Sequence, residues 1–132
     1  MKRNISKTAA DFMEWLHELL VSQKYILLNR REHEKADELG GRLLGYYDEK
    51  GVYIIPDKVF GLAKDFMAEH NTNIAGLETD LFIAKMIIIE YDGFKTRYRR
   101  QKRIGSTKKR YLTFERKWFK DNDELAGIIN CC

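Results

Sequence analysis

A chain of 132 residues, 44% hydrophobic and 33% charged, has the length of one domain and enough apolar side chains to bury a core without disulfides. Its net charge of +4 conceals a segregation: nine of its 24 Lys and Arg fall between Lys95 and Arg110 with no acid among them, leaving 15 against 20 Asp and Glu, a net −5, elsewhere. No apolar run approaches the roughly 18 residues of a membrane span or forms a signal peptide, and the only cysteines, Cys131 and Cys132, form no disulfide framework, so the chain reads as soluble and cytoplasmic.

In chain order, Phe12, Leu16, Leu19 and Leu20, joined by Met13 and Trp15, recur at helical spacing over about 8–22, with Ser6 or Thr8 as the cap. KYILLN (24–29) changes to a short strand, and RREHEKADELGG (30–41) reads as a polar loop holding one helical turn. RLLGYYDEKGVYIIP (42–56) predicts a β-hairpin turning through Asp48-Glu49-Lys50-Gly51, with Gly51 as the left-handed turn residue. Pro56 closes that hairpin and Asp57 is the expected N-cap of a helix over 58–70, which buries Val59, Leu62, Ala63 and Phe66. NTN breaks it, and a second helix follows over about 75–86 with Leu77, Leu81, Phe82 and Ala84 apolar. IIIEY (87–91) is a buried strand, Asp92-Gly93 a turn, and RYLTFERKWF (110–119) a returning strand before a loose tail.

This order predicts an α+β, winged-helix-like single domain over 1–132. An N-terminal helix and extension (1–41) precede a helix–turn–helix flanked by small antiparallel hairpins (42–119), with a basic wing at 94–116 and a tail at 120–132. If the wing turns at Gly105-Ser106, Arg103 faces Lys108 and Lys102 faces Lys109. Like charges opposed across strands cost about 0.2–1 kcal/mol per pair. A projecting arm so loaded is relieved by a polyanion, and each neutralised phosphate also releases counterions. The candidate nucleic-acid contacts are Lys95, Arg97, Arg99, Arg100, Lys102, Arg103, Lys108, Lys109 and Arg110, with Phe94, Tyr98 and Tyr111 interleaved to stack on bases or pack the hairpin. A membrane surface fits less well, because the strip lacks an apolar face. The second helix of the pair opens with Glu78, Thr79 and Asp80, which phosphates repel, so the wing dominates contact and base discrimination is weak.

Catalytic patterns are missing. His17, His33 and His70 stand singly, REHEKADE (31–38) matches no metal-ligand spacing, and neither GGRLLG nor GSTKK fits a phosphate-cradling loop. The chain is therefore expected to be no enzyme, with no metal and no cofactor, and no pattern in it assigns an oligomeric state.

The segments FMEWLHELLVSQKYILLN, LLGYYDEKGVYIIPDKVFGLAKDF and KRIGSTKKRYLTF resemble the C-terminal region of primase–helicase proteins of integrated mobile elements and phages. The resemblance implies a winged-helix-like accessory domain that helps a helicase hold DNA during replication of the element, with a helicase or primase as partner. The nucleotide-binding motifs of such helicases have no counterpart here, so no ATPase activity carries over. DNA is thus the expected partner ahead of RNA. The alternative is a protein-interaction or oligomerisation module whose acidic helix and apolar hairpin face dock on a partner while the wing is merely solvated.

Overall fold

The computed structural model describes residues 5–120, so the expected tail lies outside the described residues beyond Lys120. The first helix, α1 (Ile5–Val21), turns Ala9, Phe12, Met13, Leu16 and Leu20 into the core, as its spacing predicts. Ser6 and Thr8 lie inside this helix rather than capping it.

Strand β1 (Ile26–Asn29) pairs in parallel with β2 (Leu43–Tyr47), and β2 runs antiparallel to β3 (Val52–Ile54). A parallel neighbour requires a crossover. Residues 30–42 supply it as a 3₁₀ helix (Arg30–Lys35), a single α-turn, α2 (Ala36–Leu39), and a second 3₁₀ turn (Gly40–Arg42), where the sequence suggested a loop with one helical turn. Ile26 aligns with Leu43 and Leu27 with Gly45, so Leu44 is bulged between them. That extra residue lets Leu44 and Tyr47 enter the main core while Tyr46 faces the other side of the sheet.

The helical region also differs in detail. It begins at Pro56 as the first helical residue, with Ile55 at the cap position, so Asp57 sits in the first turn and caps nothing. The expected helix 58–70 is two, α3 (Pro56–Leu62) and α4 (Lys64–Glu69), separated at Ala63 where ψ swings to 13°. Helix α5 (Ile74–Ile83) is capped by Asn73, whose side chain accepts from Gly76 N at 2.8 Å. Leu77 and Leu81 are fully buried, and α5 packs on α1.

The run 87–91 splits into β4 (Ile87–Ile88) and β5 (Glu90–Asp92); β5 forms its own hairpin with β6 (Lys95–Arg97). Then come β7 (Arg100–Ile104), β8 (Thr107–Phe114) and a last turn of helix, α6 (Lys117–Lys120), so Trp118 and Phe119 are helical rather than extended. The sheet order is β1-β2-β3-β8-β4, with β7 paired to the first half of β8. The expected wing at 94–116 is thus two ribbons, β5–β6 and β7–β8.

The molecule is a mixed α+β fold whose sheet is covered on both faces. Val52, Ile54, Leu112 and Phe114 meet the helices through Phe12, Leu16, Val59, Phe60 and Leu77. On the opposite face Tyr46, Tyr53, Ile104 and Tyr111 form a smaller cluster roofed by Leu28, Ala36 and Leu43. Among the described residues no helix is long and apolar enough to cross a membrane.

Candidate nucleic-acid interface

The register of the β7–β8 ribbon is the one its turn chemistry predicts. Lys102 lies opposite Lys109 and Arg103 opposite Lys108, with Gly105 at positive φ (64°) opening the two-residue turn. The ribbon is not a free arm, however. Arg30 donates from Nη2 to Arg103 O at 2.8 Å, and a Cβ at Gly105 would lie 2.8 Å from the His33 ring. The crossover therefore grips both the tip and one strand of the ribbon. Glycine is needed at 105 for two reasons, its φ and the imidazole against it.

Arg30 also ties the ribbon to the β2–β3 turn, where Nη1 reaches Asp48 Oδ2 at 3.3 Å. The buried Asp48 carboxylate accepts further from Tyr53 Oη (2.8 Å), Lys50 N (2.8 Å) and Gly51 N (3.1 Å). Burial by itself would raise the Asp48 pKa; these hydrogen bonds outweigh it and hold the group below its ordinary value. The Tyr53 hydroxyl moves the other way, raised by burial and by its carboxylate partner. Gly51 does not take the positive φ expected of it. A Cβ there would come within 2.9 Å of Phe114 O, so close approach of β8 is what requires glycine.

The nine predicted cations divide into those held within the fold and those that are not. Arg99, between β6 and β7, donates from Nε to Glu78 Oε2 at 3.0 Å, lies 3.9 Å from Asp57, and sits over the Phe60 ring. Arg110 donates to Glu90 Oε2 at 2.7 Å and to Arg99 O at 3.1 Å, and holds the Glu90 carboxyl below its usual pKa. Arg97 is half-buried and engaged by the fold. Lys102 places Nζ 4.8 Å from the Tyr53 ring centroid; its pKa is lowered, first by burial and then by the neighbouring Arg30 charge. Arg100, Arg103, Lys108 and Lys109 are exposed, and among the described residues no carboxylate pairs with them; Lys95, also exposed, lies across the β5–β6 ladder from Asp92.

Because cross-strand partners share a face, Arg100, Lys102 and Lys109 lie on the side of the ribbon that carries Tyr111, and Arg103, Lys108 and Arg110 on the other. The nine charges therefore do not form one flat patch. Lys95 stands apart on the β5–β6 hairpin.

Helix α5 overturns a second expectation. Glu78 and Asp80 are not presented to solvent: Glu78 is 8% exposed and Asp80 fully buried. The outward side of α5 is instead apolar, with Ile74 41% and Ile83 51% exposed. The interleaved aromatics also separate. Tyr111 is buried, Tyr98 packs on Phe82 with its hydroxyl 3.4 Å from Thr79, and Phe94 stands fully exposed at the β5–β6 turn. Sequence reasoning missed Tyr91, which is 72% exposed on the same hairpin, and missed Arg30, Lys50 and His33 beside the ribbon. For Tyr91 the available signal was an aromatic two residues before the Gly93 turn; the other three come close only through the crossover and the β2–β3 turn.

The histidines sit singly, as their spacing suggests: His17 against Phe119, His33 under Gly105, His70 stacked on Phe66 with Nε2 3.2 Å from Asp11. Among the described residues no three His, Cys, Asp or Glu side chains converge on a metal-sized point. What the fold and site define is a mixed α+β protein carrying a partly unpaired cationic ribbon. No protein-family model, curated protein or solved structure matches the chain.

Proposed function

We propose that this is a winged-helix-like DNA-binding accessory domain that grips phosphates through the β7–β8 ribbon, in the service of a mobile-element primase–helicase. The fold part of the reading is supported by connectivity. Helix α1, strand β3, helices α3–α4 and α5, strand β4, then the ribbon, with β3-β8-β4 antiparallel, follow the order of a winged helix, to which β1, β2 and the crossover add an outer edge.

One observation carries the functional part: four exposed cations, Arg100, Arg103, Lys108 and Lys109, without a carboxylate partner among the described residues, all on one two-stranded ribbon whose residues oppose like charges. A fold that pairs Arg99 and Arg110 with acids leaves these four without a described acid beside them, and a phosphate backbone supplies the counter-charge. Burial of Glu78 and Asp80 removes the repulsion that the sequence suggested at α5. That helix offers few polar atoms to read bases, so contact is with phosphates and discrimination between sequences is weak. Exposed Phe94 and Tyr91 add faces on which unpaired bases stack.

Anisotropy titration of a labelled duplex and a labelled single strand tests the reading. Arg103→Glu with Lys108→Glu lowers affinity for unrelated sequences about equally, on the order of tenfold at low salt. Unchanged affinity in that variant refutes it.

A second reading, a protein-interaction module, is favoured by exposed Ile74 and Ile83 rather than by an acidic helix. A defined dimer in light scattering, abolished by Ile83→Glu and indifferent to DNA, is its signature.

A further inference from the structure

On the inner side of the ribbon, a crevice of about 270 Å³ is walled by Lys50 from the β2–β3 turn and by Arg100, Gln101 and Lys102 from β7. Tyr53, Ile88 and Thr113 complete its lining, drawn from β3, β4 and β8. Four strands and a turn thus bring three cations to one recess, although Lys50 is some fifty residues from the other two in sequence. Two carboxylates come near it, Asp48 and Glu90, and Glu90 is engaged by Arg110 and the Gln101 backbone N–H. The Asp48 oxygens are already taken by Tyr53, Arg30 and two backbone N–H groups, so neither carboxylate is spent on Lys50, Arg100 or Lys102 side-chain hydrogen bonds among the described residues.

We propose that this crevice is a phosphate-binding site, in which Arg100 supplies a two-pronged donor and Lys50 and Lys102 supply point charges to one phosphate group. The proposal deepens the nucleic-acid reading, on which it rests for the biological source of that phosphate.

Four observations favour an anion of this kind. The space falls just below the roughly 300–1,000 Å³ of sites that enclose a drug-sized molecule, which suits a single tetrahedral group better than a whole nucleotide. Lys102 is partly withdrawn from water and held among the charges of Arg30, Lys50 and Arg100; both lower its pKa, and a bound anion offsets the repulsion. Arg100 and Lys50 remain exposed at the rim, free to swing onto an incoming ligand. The Tyr53 ring beneath Lys102 fixes the ammonium over the recess rather than letting it trail into solvent.

The same chemistry has two possible sources, a backbone phosphodiester or a terminal or free phosphate monoester, and the test separates them. Backbone amide spectra of the full chain are followed during titration with sodium phosphate and with sodium pyrophosphate, at ionic strength held constant with chloride. Saturable shifts confined to residues around Lys50, Arg100, Lys102 and Thr113 are expected. Arg100→Gln with Lys102→Gln raises the apparent Kd at least tenfold, whereas Arg103→Gln with Lys108→Gln, on the outer side, leaves it within twofold. Circular dichroism establishes that each variant is folded; if Lys102→Gln disturbs the Tyr53 cluster, Lys50→Gln serves in its place.

Linear, unsaturable shifts, or saturable ones that survive in the Arg100 and Lys102 variant, overturn the proposal. Oligonucleotides with and without a 5′-phosphate then identify the source. Equal loss on both in the crevice variant assigns a backbone phosphodiester, and loss only on the phosphorylated strand assigns a monoester. Failure of the outer-side variant to weaken DNA binding, with phosphate shifts intact, sinks the nucleic-acid reading while the anion site stands.

Discussion

The two main hairpins of this molecule handle charge in opposite ways. At the β2–β3 turn one carboxylate, Asp48, is buried and every strong donor around it is used: Tyr53, two backbone N–H groups and Arg30. Along β7–β8, Lys102 faces Lys109 and Arg103 faces Lys108 with no acid between. The first arrangement is complete within the chain. The second leaves its charges without a carboxylate among the described residues. Arg30 links the two, one guanidinium nitrogen on Asp48 and another on Arg103 O, so the unsatisfied ribbon is held by the satisfied turn. Positioning an uncompensated charge requires a rigid neighbour, and here the neighbour is a buried polar network.

The contrast can be broken at either end. Asp48→Ala removes an acceptor from at least three buried or half-buried donors and should cost about 1.5–3 kcal/mol in urea unfolding. A loss below 0.5 kcal/mol would show that the turn is not the anchor. Next in size, Phe94→Ala with Tyr91→Ala should weaken binding to a single strand by about 1–3 kcal/mol per stacked base while leaving stability within about 0.5 kcal/mol. Equal weakening on duplex would assign the aromatics another task. Arg30→Ala should leave the main core folded yet speed hydrogen exchange in 101–108, since the ribbon loses its tie; uniform exchange across the chain would contradict this.

The smallest effect is on pH. The Asp48 pKa is lowered in the folded state, so its contribution is fully present above the unfolded-state value near 3.9 and is lost as pH falls through the folded value. Stability should therefore drop below about pH 4, and Asp48→Asn should flatten that drop. Parallel acid limbs for the two proteins would remove Asp48 from the account.

Features set by local chemistry were readable in the sequence. The ribbon register follows from Gly105-Ser106 and the alternation beside it, and the core faces of α1 and α5 follow from helical spacing. Features set by distant partners were not. Glu78 and Asp80 look like surface acids until Arg99 folds back over the helices to meet Glu78. The break at Ala63 falls two residues beyond Gly61 rather than at it, and the parallel pairing of β1 depends on a crossover built from short helical turns rather than one long helix. The likeness of the four cations on the ribbon hid a division between two faces that only strand alternation in a known register resolves.

The most direct test is the salt dependence of duplex binding, measured as the slope of log K against log salt. Four phosphate contacts predict a slope of about −3.6, falling by about one unit for each of Lys108→Ala and Lys109→Ala. A slope near zero, or one indifferent to both substitutions, would mean that the uncompensated ribbon does not meet a polyanion.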